Sequence, residues 1–385
     1  MNLLRNRALL AATLGHFSVD MYSGMLPLIL LTLTDPLGLS YAQIGLVALV
    51  FSVTSSVSQP FFGWLGDRRH HRALTVLGVA GIASTMGVMR FADQFAALAM
   101  LASLAGFGSG AFHPQGAVLA SRAPAKWRGS AMSVFMLGGN TGFAVGPLLG
   151  TAAFAVAGAH LPETFVVLGL LQAALIFWVM AGEPDATPEK ARAPSAGVTH
   201  VAVGVIVTLA LVILLRAWVT QSVTTFIPQV IRAQGFSTTD AGNVLFSILL
   251  PAALGGVIGG VLSDRVGRRR VLIVSTALIT PALWGLLHAS GVNPLFFSAW
   301  LGVALGASLP VTIVMAQQLI PRGSGMMSGV VLGFTFIAGA IGVAVSGILA
   351  DQIGLMQTMT VNAILPLGTA ALAFFLPEEQ KTAHS

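Results

Sequence analysis

The chain of 385 residues is 55% hydrophobic and only 8% charged, with a mean hydropathy of +0.87. Soluble domains carry roughly 25% charged residues, so a soluble fold of this size is excluded. Cysteine is absent, which excludes disulfides, thiolate metal sites and cysteine nucleophiles.

Apolar segments of about 20 residues, the length that crosses a bilayer as a helix, recur along the whole chain. They predict an all-α polytopic membrane protein with twelve spans, at residues 8–34, 41–65, 73–91, 94–120, 129–157, 162–181, 199–231, 238–262, 271–289, 293–319, 324–350 and 355–376. With both termini in the cytoplasm, sixteen of the 19 Lys and Arg residues fall inside, two fall outside and one lies within a span. This asymmetry follows the positive-inside rule. The net charge of +6 therefore reports orientation, most simply in a bacterial inner membrane, and does not indicate a nucleic-acid partner.

The first span contains two ionisable side chains in the stretch LGHFSVDMYSG. His16 and Asp20 stand four residues apart and share one helix face. An aspartate at mid-membrane costs about 2.5–3.5 kcal/mol on insertion scales, so it faces a cavity or a partner. Carboxyl groups bind protons more readily in apolar surroundings, and histidine titrates near neutral pH. We predict that Asp20 accepts a coupling proton beside His16; the alternative is a neutral pair that only joins helices.

The pattern G-x-L-x-D-R occurs twice, after the second and after the eighth span. Gly63 and Gly260 are predicted to let helices approach closely. Asp67 and Asp264 are predicted to cap the next helix or to pair with a nearby arginine. Such ion pairs would hold the protein in one conformation and break in another. The simpler alternative is an ordinary basic loop. The candidate latch residues are Gly63, Asp67, Arg68, Asp264, Arg265 and Arg268.

Polar residues in the fourth and fifth spans are candidates for substrate binding. His113 precedes Pro114, where a helix can flex beside a polar contact, and Gln115 follows. A packing role for this histidine is an equal alternative. Asn140 in the fifth span is a further candidate, with an interhelical hydrogen bond as the alternative.

The fifth span contains GGNTGFAVGPLLG, with a glycine at every fourth position from Gly138 to Gly150. This spacing leaves one helix face bare, so Gly142 and Gly146 are predicted to pack against another helix. Pro147 can bend the helix, because neighbouring groups satisfy the backbone bond it loses. The pattern recurs in the eleventh span, at Gly325, Gly329 and Gly333.

A polar stretch, EPDATPEKARAPSAG, suits an extended linker. It predicts a six-helix bundle at 1–182, a cytoplasmic linker at 183–198 and a second six-helix bundle at 199–385. Landmarks of the first half recur in the second with an offset of 196 to 201 residues. Duplicated halves with substrate bound between them at mid-membrane are a transporter architecture.

The seventh span contains the one basic residue inside a predicted span, Arg216. The offset aligns it with the position next to His16 and aligns Gln221 with Asp20. Arg216 and Gln221 are therefore predicted to bind substrate together with the residues of the first span. Arg216 would bind an anionic head or hold Asp20 ionised; a permanent brace between the two spans is the alternative.

These motifs resemble the major facilitator superfamily. The two G-x-L-x-D-R segments resemble its signature loop, and GGNTGFAVGPLLG is similar to its fifth-helix antiporter motif. GHFSVD, SYAQIG, SQPFFGWLGD, GAFHP, SDRVGRR and PRGSGMMSG extend a narrower resemblance, to the fosmidomycin-resistance branch, over nearly the whole chain. The resemblance implies the major facilitator fold and proton-driven export of drugs. That branch commonly has an acidic residue where this chain has Gln115.

Taken together, the sequence predicts a proton-coupled antiporter that exports small organic molecules, including fosmidomycin-like phosphonates, by alternating access. Its partners would be the substrate, protons and membrane lipids, and it would act as a monomer without a cofactor or resident metal. An HExxH pattern and an ATP-binding loop are absent from the sequence, so we expect neither an enzyme nor an ATP-driven pump. Two alternatives stay open: uptake of an organic anion by proton symport, and export of a metal ion through His16, Asp20 and His113.

Overall fold

The computed structural model describes residues 6–124, 127–157, 161–181, 203–288, 294–319 and 324–378. Within these ranges the regular structure is helical. The twelve helices are α1 (Arg7–Leu37), α2 (Tyr41–Leu65), α3 (His71–Val88), α4 (Phe95–Ser121), α5 (Arg128–Ala157), α6 (Leu161–Val179), α7 (Val203–Ala233), α8 (Thr238–Val266), α9 (Arg268–His288), α10 (Pro294–Leu319), α11 (Ser324–Ile353) and α12 (Leu355–Ala373). Eleven of them are long and apolar enough to cross a membrane, and the apolar segment of α6, Thr164–Val179, is shorter. The predicted twelve-helix fold is confirmed.

Local signals in the sequence set the ends of the first helices. Asn6 caps α1 by accepting a hydrogen bond from the Leu9 amide at 3.1 Å. Gly38 ends this helix with φ of +58°, a left-handed conformation that glycine adopts without strain. Ser40 and Gln43 then form a reciprocal capping box at the start of α2, with bonds of 3.0 and 3.3 Å. The connection between the two helices is therefore short and well defined.

The contacts divide the chain into two compact units. The first contains Met1–Lys190 and Ile231–Phe246, and the second contains Ala191–Val230 and Ser247–Ser385. The end of α7 and the start of α8 therefore group with the first unit. The predicted linker at 183–198 lies outside the described residues, and the predicted domain boundaries stay a prediction.

In the first unit, α1 packs along α5 through the predicted glycine face. A Cβ at Gly138, Gly142 or Gly146 would meet a backbone carbonyl oxygen of α1. In the reverse direction, a Cβ at Gly24 of α1 would meet the carbonyl oxygen of Phe143. The two backbones are thus in direct contact, which is the packing that small residues allow in membrane helices. Pro147 is buried on the same helix.

In the second unit, α8 and α10 make a similar contact. A Cβ at Gly255 or Gly259 would meet a backbone carbonyl oxygen of α10. A Cβ at Gly302 or Gly306 would meet one of α8. Neither contact was predicted from the sequence, although both helices are rich in glycine.

The two glycines that open the repeated motif, Gly63 and Gly260, were predicted to let helices approach closely. A Cβ at Gly63 would lie 3.6 Å from the Pro114 Cβ, an ordinary contact, and one at Gly260 would have no atom of the described residues within 4 Å. The tight position of the second copy is the preceding residue, Gly259. In α11, where the glycine spacing recurs, a Cβ at Gly333 would meet none of the described residues within 4 Å. A helix turns by about 100° per residue, so the shift from Gly260 to Gly259 moves the tight contact to another helix face.

In α11, the close approach falls further along the helix. A Cβ at Gly339 would meet the Gln221 side chain, and one at Gly342 would meet Trp218. Both contacts join α11 to α7. They mirror the α1–α5 contact of the first unit, as expected for a duplicated bundle.

The two copies of G-x-L-x-D-R fold differently. The first is not a loop: residues 66–70 form a π-helical turn that leads directly from α2 into α3. The second copy contains an additional glycine, Gly267, which has φ of +96° and separates α8 from α9. The predicted turn is therefore present in the second copy, and the first copy continues as helix.

Candidate functional site

The predicted pair of the first span forms a cluster with a histidine of α4. His16 Nε2 lies 3.2 Å from Asp20 Oδ2. On the other side, His113 Nε2 lies 3.3 Å from Asp20 Oδ1. Each carboxylate oxygen of Asp20 thus has its own imidazole. This is the His–Asp–His cluster, defined by His16, Asp20 and His113.

The second nitrogen of each imidazole is held by the backbone. His16 Nδ1 donates to the carbonyl oxygen of Phe135 at 2.8 Å. His113 Nδ1 donates to the carbonyl oxygen of Ser109, also at 2.8 Å. Because a carbonyl oxygen only accepts, the hydrogen of each neutral ring resides on Nδ1, and Nε2 faces Asp20 as an acceptor.

In the neutral rings each Nε2 is an acceptor, and the oxygens of the ionised Asp20 are acceptors too. Each imidazole–Asp20 contact therefore brings two acceptors together. Two acceptors attract each other only through a shared proton or a cation. Each of these contacts therefore needs a proton on one of its two atoms, or a cation between them, to be attractive.

The cluster has a closed side and an open side. His16 is stacked on Phe135, with ring centroids 4.1 Å apart, and its side chain is only 5% exposed. Gly139 covers it from α5, and a Cβ there would lie 2.7 Å from Asp20 Oδ2. Asp20 and His113 are 21% and 27% exposed. These two side chains form the open side of the cluster.

A chain of two serine hydroxyls begins at Nδ1 of His113. Ser109 Oγ lies 3.3 Å from His113 Nδ1 and accepts a hydrogen bond from Ser55 of α2 at 3.0 Å. A Cβ at Gly110 would meet Ser58 and the carbonyl oxygen of Ser55, so α2 and α4 are close enough for this chain of hydroxyls to form. The hydroxyls connect the cluster to α2.

The remaining candidates of the first unit lie apart from these contacts. Gln115 is fully buried and donates from Nε2 to the carbonyl oxygen of Phe62 at 2.7 Å. A Cβ at Gly66 would meet its amide, so Gln115 packs against the π-helical turn. Asn140 is exposed on α5, next to Gly139. Their roles in substrate binding stay predictions.

In the second unit, Arg216 lies on α7 and is only 4% exposed. Its Nε has no hydrogen-bond partner among the described residues. Gln221 is half-buried and packs against Gly339 of α11. A buried guanidinium with a free donor is a strong candidate for binding an anion, because its desolvation is offset only by a negative partner.

The same helix takes part in a polar network that the sequence analysis missed. Trp218 Nε1 donates to Ser346 Oγ of α11 at 2.8 Å, and Ser222 Oγ lies 3.0 Å from the same atom. Asn362 of α12 donates to Ser346 at 3.0 Å. Ser346 thus joins three helices. An asparagine within an apolar span was the available signal for this network.

The candidate latch residues lie at the helix connections and are mostly exposed. In the first copy, Asp67 is exposed and the Arg68 guanidinium stacks 4.2 Å from the Trp64 ring centroid. In the second copy, Asp264 forms an ion pair with Arg268 at 3.8 Å. Arg265 is exposed beside it. The two copies thus use different contacts in this structure.

The His–Asp–His cluster also has the composition of a metal site. One ligand atom from each of the three residues lies within 4.8 Å of the others. Two imidazoles and a carboxylate are ligands for ions such as Zn²⁺.

The long apolar helices, their repeated glycine packing and the polar cluster within them are typical of an integral membrane transporter. The chain belongs to the Major Facilitator Superfamily, which it matches over residues 9–248 and 209–385. The Fosmidomycin resistance protein of Escherichia coli (strain K12) is 30% identical, over 96% of this chain and 92% of that protein. The uncharacterized MFS-type transporter YfnC of Bacillus subtilis (strain 168) is also 30% identical, over 95% of this chain and 91% of that protein.

A solved structure agrees with the fold. A bacterial homolog to the human lysosomal transporter Spinster, in an inward-facing and occupied conformation, superimposes with a TM-score of 0.78. The match covers 97% of both chains at 17% sequence identity. The predicted resemblance to the superfamily and to the fosmidomycin-resistance branch is confirmed.

Proposed function

We propose that this transporter is a proton-coupled antiporter that exports small organic molecules, among them fosmidomycin-like phosphonates, from the bacterial cytoplasm. The observation that carries the proposal is the His–Asp–His cluster: a carboxyl group on a membrane helix lies between two imidazoles whose other nitrogens are already bonded. Such a cluster needs protons to be stable and exposes Asp20 and His113, through which protons enter and leave.

Proton binding changes the charge of the cluster and can therefore drive a cycle. A proton that enters from outside and binds the Asp20 carboxylate removes its negative charge, and this changes the energy of exposing the cluster to either side of the membrane. Return to the inward-facing state then delivers the proton to the cytoplasm, while substrate leaves in the opposite direction. Any coupling of this kind requires that the two states bind the proton with different affinities.

Two features support an anionic drug as the substrate. The E. coli relative is named for fosmidomycin resistance. In this chain, Arg216 is buried and its Nε has no hydrogen-bond partner among the described residues, which suits a phosphonate or carboxylate head group. Gln221, Gln115 and Asn140 are proposed as further contacts. The candidate latch residues of the two motif copies are proposed to stabilise one of the alternating conformations and to release it in the other. They are Gly63, Asp67, Arg68, Asp264, Arg265 and Arg268.

The first test uses purified protein in sealed liposomes that contain a pH-sensitive dye. With an inward proton gradient, fosmidomycin should stimulate proton movement in the wild type. Asp20→Asn keeps the shape of the side chain but cannot exchange a proton, so it should abolish this movement. Asp93→Asn, an exposed carboxyl group outside the predicted spans, is the matched control and should behave as wild type. Unchanged proton movement in Asp20→Asn would refute the assignment.

A second prediction concerns Arg216. If it binds the anionic head, Arg216→Gln should reduce transport of anionic substrates more than transport of neutral ones. The matched control is Arg232→Gln, an exposed arginine on the same helix, which should leave both unchanged. Equal loss for anionic and neutral substrates would indicate a structural brace instead. The same liposomes, loaded with substrate on one side, distinguish export from proton-driven uptake.

A further inference from the structure

We propose that the His–Asp–His cluster is also a binding site for one divalent transition-metal ion of the zinc class, with His16 Nε2, Asp20 and His113 Nε2 as ligands. The ion would take the place of the exchangeable protons. Metal binding at this site is independent of the proposed antiport, because it requires only the three side chains and their positions.

The distances fit a small tetrahedral ion. Zinc bonds of about 2.0–2.1 Å place neighbouring ligand atoms roughly 3.4 Å apart. The separations of 3.2 Å between His16 and Asp20 and 3.3 Å between His113 and Asp20 match two edges of such a tetrahedron. The third edge is at most 4.8 Å and closes by a small rotation of the more exposed His113.

The atoms around the ligands already have the arrangement that metal-binding histidines require. A ligating imidazole usually donates its other N–H to a carbonyl or carboxylate, which fixes the tautomer and aims the free nitrogen at the ion. Here both imidazoles do so, to Phe135 and Ser109 at 2.8 Å each. In the neutral rings, the Nε2 lone pairs are therefore available to an ion, and each Nε2 lies within 3.3 Å of an Asp20 oxygen.

The open side of the cluster leaves room for a fourth ligand. His16 is enclosed by Phe135 and Gly139, whereas Asp20 and His113 are partly exposed. A water molecule or a substrate oxygen can complete the coordination from that side. Two nitrogen donors and one oxygen donor favour Zn²⁺, Co²⁺ or Ni²⁺ over Mg²⁺ and Ca²⁺, which prefer oxygen ligands.

The ion and the protons use the same lone pairs, so they exclude each other. A bound zinc ion would hold Asp20 and both imidazoles in one arrangement. Micromolar zinc should then inhibit substrate-driven proton movement, which would give the transporter a sensitivity to metal ions that its proton chemistry alone does not provide.

The test is a calorimetric titration of the purified, full-length protein, without a histidine tag, with ZnCl₂. We expect one ion per chain in the wild type, and binding at least about tenfold weaker in His113→Ala and in Asp20→Asn. His288→Ala removes a histidine that stacks on Trp284 outside the cluster and should bind zinc as the wild type does. MgCl₂ should give no comparable heat.

A spectroscopic measurement on the wild type covers the case in which a variant fails to fold. Co²⁺ in place of zinc should give the intense visible absorption of a tetrahedral nitrogen and oxygen site. The absence of zinc binding, unchanged affinity in a folded His113→Ala protein, or the weak spectrum of octahedral Co²⁺ would each overturn the proposal. If zinc does not bind but Asp20→Asn abolishes proton movement, the metal site is refuted and the antiporter stands.

Discussion

The imidazole of His16 is fixed on several sides. It is stacked on Phe135, hydrogen-bonded to the carbonyl oxygen of the same residue, edge-on to His113 at 5.2 Å, and covered by Gly139. His113 is more exposed and is held mainly through Ser109. His16 is therefore the more firmly held of the two imidazoles that contact Asp20.

This geometry makes Gly139 a sensitive position. Gly139→Ala would place a Cβ against His16 and 2.7 Å from Asp20 Oδ2. Because stacking prevents His16 from yielding, Asp20 must move, and we expect substrate-driven proton movement to fall by about tenfold with a stability loss of about 1–3 kcal/mol. Proton flux and thermal unfolding measure the two effects. Gly129→Ala lies on the same helix, with no atom of the described residues within 4 Å of the added Cβ, and should retain wild-type flux; equal loss in both variants would contradict the explanation.

Some residues of the His–Asp–His cluster and its surroundings could be predicted from the sequence and others could not, for physical reasons. His16 and Asp20 follow from helical spacing, which needs only local geometry. That His113 joins them depends on the packing of α4 against α1, which no local pattern encodes. Gly139 and Phe135 carried no signal of their own, because glycines and aromatic residues are common throughout membrane helices.

Among the helices, α5 depends on its glycine face for contact with α1. Backbone carbonyls of α1 occupy the space that side chains on this face would need. Backbone cannot rotate away as a side chain can. The interface should therefore tolerate very little added volume, even though Gly→Ala normally favours a helix by about 1 kcal/mol.

The prediction is that Gly142→Ala destabilises the protein by about 1–3 kcal/mol, as overpacking of a tight interface does. A Cβ at this position would meet the carbonyl oxygen of Phe17. Gly150→Ala is the matched control on the same face, since its Cβ would lie 3.6 Å from Met25, and it should be neutral or slightly stabilising. Thermal unfolding in detergent measures both. Equal melting temperatures for the two variants would show that α1 and α5 separate without cost.

The connection between α2 and α3 shows where element boundaries could not be predicted from a repeat. The first copy of the motif lacks a glycine at the position of Gly267, so the chain stays helical and inserts a π-helical turn. Gln115 then packs on Gly66 in that turn. The two copies align in sequence, but one glycine with positive φ is enough to change a continuous helix into a break.

For the whole molecule, the sequence predicted a duplication because landmarks of the first half recur in the second. The packing of the helices is duplicated as well. In each unit the first helix contacts the fifth, and the second contacts the fourth, through glycines. The predicted spans agree with the helices to within a few residues at most ends, because long apolar segments are the most reliable signal in a sequence. Which glycines touch was less predictable, since neighbouring residues on a helix point in different directions.

The orientation of the molecule in the membrane was predicted from the distribution of its basic residues. It gives the last prediction. The sequence contains no cysteine, so one introduced cysteine reports its own side of the membrane. Asp93→Cys lies between α3 and α4 and should react with an impermeant maleimide in intact cells. Arg270→Cys, at the start of α9, should react only after the membrane is permeabilised. Both residues are exposed, so access to water does not distinguish them.

The opposite labelling pattern would place both termini outside and sixteen basic residues on the wrong side. That arrangement would contradict the positive-inside rule, under which Lys and Arg near the ends of spans stay in the cytoplasm. It would also reverse the side from which protons reach Asp20 and His113, and with it the direction of the proposed cycle. The labelling pattern therefore tests the orientation on which export depends, separately from the chemistry of the cluster.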